Sequence, residues 1–267
     1  MWRPALLAAA LLSAIAPAAA AQREDIACGV GDTEVRTMAF TGNRAHSDYA
    51  LERGVATTAS TWWRRTFRVF GRKYCLDSVA VRRDSARLDF FYRRTGFPDV
   101  RVLAVVRSSG GRRVGVEFRI TEGEPMFIDS MDITGLDGVP DAERFTEDLP
   151  VKVGDRFSII AIEEARAALR RRLLDHGYPQ AEVLRNFETN IERRRAWLTF
   201  EVVPGHKSWI GRITIPPPVP AGAGTTPRID PARVRGVLGL REGELYSETN
   251  LEGVKRGLFL TEAFRFV

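Results

Sequence analysis

Three histidines, two cysteines and an adjacent pair of glutamates are the first places to look for chemistry in this chain of 267 residues. His46, His176 and His206 are the only histidines, and whole elements of structure separate them, so no metal-ligand spacing exists among them. Glu163 and Glu164 are neighbours on a helix, where adjacent side chains do not face each other and cannot share an acid–base task. The sequence holds no Gly-x-Ser-x-Gly elbow, no His-Glu-x-x-His and no phosphate-binding glycine loop. Gly222-Ala223-Gly224 is followed by Thr225-Thr226-Pro227 rather than by a helix glycine. The expectation is a protein that is not an enzyme and needs neither metal nor cofactor. Cys28 and Cys75 have three open readings: a disulfide that staples the mature N-terminus down, two unrelated thiols, or a reactive thiol, the last without a nearby histidine.

The first 21 residues stand apart. Met1-Trp2-Arg3 gives a positive start, Ala5 to Ala16 an apolar run, and Ala18 to Ala21 a small-residue cleavage region. This is the pattern of a secretory signal peptide over 1–21, too short in its apolar part to span a membrane. Export makes a Cys28–Cys75 disulfide chemically permissible and argues against nucleic acid as a partner. Hydrophobic residues make up 44% of the chain, enough for packed cores. Formal net charge is +6. Arginine and lysine concentrate between Arg64 and Arg94, against Asp77, Asp84 and Asp89. That stretch reads as a solvated helical face or as a surface for anionic lipid headgroups or an acidic protein.

The rest of the chain repeats itself. Met38 and Phe40 precede Thr41-Gly42; Met131 and Ile133 precede Thr134-Gly135; Ile213 and Ile215 open a third copy. Gly154-Asp155-Arg156-Phe157-Ser158 answers to Gly243-Glu244-Leu245-Tyr246-Ser247, and Gly96-Phe97-Pro98 answers to Gly177-Tyr178-Pro179. A repeat this long is a small domain with its own core rather than a solenoid unit. In the second copy, Phe127 to Ile133 alternates as a strand, and a short helix starts at Pro140-Asp141-Ala142-Glu143. Ser158 caps a long helix over 159–176 that ends at Gly177. A hairpin of 181–187 and 196–203 closes the copy. The first copy repeats this order with the stripe Val81, Leu88 and Tyr92 and a hairpin of 100–107 and 113–120. The third has helices starting near Asp230 and Ser247, a Pro- and Gly-rich loop over 216–227, and no closing strand. The natural chain is therefore expected to continue.

The order strand, helix, helix, strand, strand resembles a POTRA domain. The resemblance rests on Phe40-Thr41-Gly42-Asn43, Asp84 to Leu88, Phe91-Tyr92, Gly96-Phe97 and Ile120-Thr121-Glu122-Gly123-Glu124-Pro125. The second copy departs with Leu136 and Pro204; the third lacks the pattern's glycines and its Glu-Gly end. The implied fold class is α+β: tandem βααββ modules over 34–124, 126–206 and 208–267, each a three-stranded mixed sheet on two helices. Tandem modules behind a signal peptide resemble the periplasmic part of the BamA/TamA superfamily, with no barrel in this sequence. That resemblance implies a location at the periplasmic face of the outer membrane. It implies a polypeptide-binding region that receives unfolded or nascent outer-membrane or secreted chains. These would be passed to an outer-membrane β-barrel, the chain's own continuation, alongside periplasmic assembly partners. The alternatives are the periplasmic part of a two-partner-secretion transporter and an envelope scaffold without clients. The second strand would be the client-binding edge, at Val100, Val102 and Ala104 and at Ala181, Val183 and Arg185. Joints between modules would lie at Glu122, Gly123 and Pro125 and at Pro204 and Gly205.

Overall fold

The computed structural model describes Cys28 and residues 31–60, 72–214, 236 and 238–260. The signal peptide, the 216–227 loop, the helix start near Asp230 and the basic residues Arg64, Arg65 and Arg68 lie outside the described residues.

The first unit runs β1 (Glu34–Thr41), α1 (Asp48–Glu52), α2 (Ser78–Arg94), β2 (Arg101–Ser108) and β3 (Arg113–Thr121). The second runs β4 (Phe127–Thr134), α3 (Glu143–Thr146), α4 (Ile159–Asp175), β5 (Glu182–Asn190) and β6 (Arg195–Val203). One more helix, α5 (Glu248–Leu260), follows. Each long helix starts where a side chain can accept from its free N–H groups. Asp77 accepts from Val79 N at 2.7 Å and Ala80 N at 3.1 Å, and Ser158 from Ala161 N at 3.3 Å. Both helices stop at glycines, Gly96 and Gly177, each with φ +95°.

The sheets are mixed and share one topology, β1-β3-β2 and β4-β6-β5. The last strand of each unit lies in the middle, parallel to the first and antiparallel to the second. An irregularity recurs at equivalent places in the two first strands, Val35/Thr37 and Ile128/Ser130. Each unit is an α+β sandwich of one sheet and its helices.

Two cores result. Val81, Leu88 and Tyr92 of α2 pack with Val35, Phe40, Val116 and Phe118; Ile162, Ala165, Leu169 and Leu173 of α4 pack with Ile128, Leu198 and Phe200. One position breaks the equivalence. Asp84 occupies the place of Ala165 and is wholly buried. Its carboxylate accepts from Ala56 N, Thr57 N and Thr57 Oγ1 at 2.9, 2.7 and 2.6 Å and pairs with Arg87. A buried carboxylate persists only with such partners, so it ties the connection after α1 to the helix. The sequence showed it as an acid in a basic stretch and as the start of the Asp84 to Leu88 motif, without its burial.

The third copy departs from expectation at its first strand. Residues 211–214 form no strand among the described residues, and Ile213 N–H donates to Glu242 Oε1 at 2.9 Å. In the first two units the first strand is held by the parallel last strand. The described part of the third copy supplies none.

His46 belongs to the first core. Its ring meets Phe91 and Tyr92 edge-on at 4.7 and 5.0 Å, and Nε2 shares a hydrogen bond with Thr95 Oγ1 at 2.9 Å. Burial, then the Arg156 charge, lower its pKa, so it stays neutral at neutral pH.

Tyr92 and Leu173 are equivalent, fully buried and in separate cores. Replacing either by Ala is expected to cost about 2–5 kcal/mol. Amide exchange should accelerate in the affected unit and stay unchanged in the other.

Candidate functional site

Each three-stranded sheet has two edges, and the chain closes one of them itself. In the second unit Ile128 N–H donates to Asp155 O at 2.9 Å, Gly154 N–H to Ile128 O at 2.8 Å and Phe157 N–H to Met126 O at 2.8 Å. The turn that precedes α4 thus lies across the outer side of β4. In the third copy Ile210 donates to Glu244 O, Gly243 to Ile210 O and Tyr246 to Ser208 O, at 2.7, 2.7 and 3.1 Å. In the first, Val35 N–H donates to Tyr74 O and Leu76 N–H to Thr33 O, both at 2.8 Å, while Ser60 N–H donates to Val35 O. Isolated bridges mark all three crossings: Glu34–Cys75, Phe127–Arg156 and Trp209–Leu245.

Among the described residues nothing pairs with the other edge, β2 or β5, and its main-chain groups have a definite direction. Ser109 N–H donates to Arg113 O at 2.8 Å, and Arg112 O accepts from Glu34 on the opposite side. Hydrogen-bonded pairs alternate along an antiparallel ladder. Arg101, Leu103, Val105 and Arg107 therefore bond to β3. Val102, Ala104, Val106 and Ser108 turn their N–H and C=O groups to the free edge. In the second unit Arg194 O accepts from Phe127 at 3.0 Å. This directs Arg195 towards β5 and leaves Val183, Arg185, Phe187 and Thr189 facing outward. The side chains of Val102 and Ala104, and of Val183 and Phe187, lie on the helix-packed face.

Two expected edge residues fall elsewhere. Val100 and Ala181 precede their strands and are buried, at 1% and 0% exposure. Their N–H groups donate to Phe97 O and Tyr178 O, and Arg170 Nε donates to Ala181 O at 3.1 Å. A buried turn residue already bonded by its own chain offers nothing to a partner. Arg185 sits on the edge but its head is engaged. It pairs with Glu163 of α4, which also binds Arg166 at 2.8 Å, and it lies 5.4 Å from the centre of the Phe187 ring. Arg166 first, then Arg185, hold the Glu163 carboxyl below its ordinary range.

The expected joints are turns with specific partners. Glu122 Oε1 accepts from Ala45 N at 2.8 Å. Gly123 and Gly205, with φ +75° and +70°, lie against Asp99 and Gln180. Pro125 and Pro204 sit in the segments leading out of β3 and β6. The closest contacts between units were not read from the sequence. Gly96 O accepts from Met126 N and Gly177 O from Ser208 N, both at 2.8 Å. A Cβ on Gly96 would lie 2.3 Å from Phe157 O, and one on Gly177 would lie 2.6 Å from Leu245 Cδ1. Arg156 stacks over Phe97 at 5.0 Å, and Arg194 pairs with Asp99. The repeated Gly-Phe-Pro and Gly-Tyr-Pro triplets were the available signal.

At the second joint Asp175 accepts from Thr249 N and Thr249 Oγ1, both at 2.8 Å, and from Ser247 Oγ at 3.1 Å. The end of α4 therefore caps the start of α5. Burial alone pushes the Asp175 carboxyl up, but the bonds from Thr249 and Ser247 outweigh it and leave its pKa lowered. The first unit has no described unit before it, and there Cys28 and Cys75 form a disulfide with Cα atoms 5.5 Å apart. Among the described residues no group of three His, Cys, Asp or Glu could hold a metal ion, and no helix is long and apolar enough to cross a membrane.

Residues 127–205 match the POTRA family, described as "Surface antigen variable number repeat". That match spans the second unit, and the first unit shares its strand order, its irregularity and its bridge. The chain is similar to POTRA domains 3–5 of Haemophilus influenzae BamA, with 18% identity, a TM-score of 0.49, and 90% of this chain and 91% of that one covered. It is also similar to the N-terminal domain of Omp85 from Thermosynechococcus elongatus, at 14% identity and a TM-score of 0.35 over 86% of each chain. CdiB from Escherichia coli matches at 15% identity and a TM-score of 0.30, over 72% of this chain and 30% of that one. No curated protein matches by sequence.

Gly96→Ala and Gly177→Ala are expected to leave each unit folded and to loosen the joint. A residue with a Cβ in that left-handed region costs about 1–2 kcal/mol, and the overlap adds to it. Small-angle scattering should report a wider range of unit orientations. Because Asp175 is depressed, its contribution is present above the ordinary carboxylate value of about 3.9 and is lost as pH falls through the lowered one. The amides of Ser247 and Thr249 should shift in that acid window, and Asp175→Ala should show the shifted state already at neutral pH.

Proposed function

We propose that this chain is the periplasmic polypeptide-binding region of an outer-membrane protein assembly or secretion factor. Its task is to receive unfolded client chains by strand addition and pass them to an outer-membrane barrel. The observation that carries this reading is the alternating row of outward main-chain groups at Val102, Ala104 and Val106, on an edge that no described segment covers. An uncovered edge is a template for another strand. Main-chain bonds give affinity for many sequences, and the side-chain grooves add selectivity. Unfolded β-rich chains are the ligands that such an edge suits, because their alternating segments otherwise associate with one another.

Further support comes from the signal-peptide pattern of 1–21 and from the match of the second unit to the POTRA family. In this reading the region works in the periplasm, with 1–21 removed as a signal peptide. The contacts through Gly96 and Gly177 hold successive units against one another. No catalytic step is required for this task.

Strand addition makes a specific demand. Proline removes a donor and fixes φ, so it breaks a ladder where an outward side-chain change does not. Val102→Pro is expected to abolish binding of a peptide copied from a transmembrane β-strand, with the second unit's amide spectrum unchanged. Val183→Pro tests the second edge in the same way. Wild-type affinity should be weak, on the order of 10–1000 μM, since the peptide must be ordered. Peptide binding that survives both prolines would overturn the reading.

A further inference from the structure

We propose that the two edges are not equivalent. The β2 edge of the first unit is the receiving site and prefers an extended segment that is acidic as well as apolar, whereas the β5 edge is held shut by its own ion cluster. This rests on the strand-addition reading above and names the site and the ligand chemistry within it.

On the second unit's edge the groove between strand and helix is filled. Arg185 folds over it, held by Glu163 and the face of Phe187, and Arg166 holds Glu163 from the other side. Phe187 itself packs on Phe157, with ring centres 5.2 Å apart. An added strand would have to dislodge Arg185 from a place on the very row of outward donors it needs.

The first unit has Ala104 where the second has Arg185, Arg82 where it has Glu163, Ser85 where it has Arg166, and Val106 where it has Phe187. No ion pair can bridge Ala104 to the helix, and Val106 is left 44% exposed on the helix-facing side of the strand. The groove is thus open, floored by small apolar side chains and flanked by the exposed cation of Arg82. Asp89, the carboxylate of α2 nearest the start of β2, is already bound by Arg93 at 2.6 Å.

The outer faces of the two edges carry opposite charge at the same positions. Arg101 and Arg107 on β2 correspond to Glu182 and Glu188 on β5, all four exposed. Arg107 reaches Glu117 at 3.4 Å with its side chain still 64% exposed. A segment with acidic residues between its apolar ones seats the apolar side chains in the groove and meets Arg101 and Arg107 with its acidic ones on the outer face of the first edge. On the second it meets Glu182 and Glu188. Like charges directly opposite on paired strands are destabilising, so discrimination comes from both sides.

The test exchanges the devices within the full chain. Two peptides with the same apolar alternation are titrated by amide chemical shifts, one with Asp and Glu at its polar positions, the other with Lys. The acidic peptide is expected to perturb 102–108 and to weaken in high salt. The basic peptide should bind about tenfold more weakly. Ala104→Arg with Arg82→Glu builds the second unit's closure into the first and should weaken acidic-peptide binding by a similar factor. Glu163→Ala with Arg185→Ala should make 183–189 respond to peptide. Amide dispersion outside the edges serves as the control for folding, and Ala104→Arg alone is the milder variant where the double exchange unfolds the unit.

Responses at 183–189 equal to those at 102–108 in the unaltered chain would overturn this proposal and leave strand addition standing. So would equal binding of the two peptides. Silence of both edges in every variant would overturn strand addition itself.

Discussion

The structure depends on one main-chain contact made three times: the segment before a long helix crosses the outer side of the first strand in the first two units, and of the 208–210 segment in the third copy. In the second unit that crossing is the pair of bonds between Ile128 and the Gly154–Asp155 turn, with Phe157 bonded to Met126 behind it. A three-stranded sheet with its last strand in the middle would otherwise expose two edges. The crossing removes one and fixes the first strand against the helix N-terminus. With β1 and β4 covered in this way, the edges left unpaired among the described strands are β2 and β5.

The same segment also makes the joints. Phe157 and Leu245 sit where the glycine that ends the preceding helix comes closest, and only a residue without Cβ lets the units approach so far. Gly96 and Gly177 therefore do two things at once: they end a helix at positive φ and they make a docking surface. The disulfide has its place in this scheme. Cys75 lies in the crossing segment of the first unit, at the position of Arg156 in the second, so Cys28 holds there what a preceding unit holds elsewhere.

Much of this was legible in the sequence because the copies repeat. The long helices, the cap at Ser158, the order of elements along the chain and the buried stripe follow from residue type and spacing. Three things were not legible. Asp84 looked like a surface acid because burial of a carboxylate depends on the loop that closes over it, through Thr57, and not on its own helix. Val100 and Ala181 looked like strand residues because apolar alternation continues into the turn, where the N–H is already spent. The closure of the second groove needed three-dimensional pairing, since Glu163 and Arg185 belong to different elements and neither is unusual alone. The glycine joints were visible as a repeated triplet, but nothing in one dimension says that the next unit sits on it.

An exposed sheet edge is a hazard to any exported chain, and a charged side chain folded inward along it is one of the ways proteins blunt it. Arg185, pinned between Glu163 and Phe187, is such a device, at the equivalent of which the first unit carries a methyl group. The two units share topology, irregularity, crossing segment and helix stripe, so the fold does not require this difference. A chain that needed both edges protected had the remedy at hand in its own second unit. Leaving Ala104 in place keeps one edge able to pair, while the arginines beside it deter neighbouring copies of the same cationic edge through repulsion. Protection against self-association and readiness for a partner of opposite charge then come from the same residues.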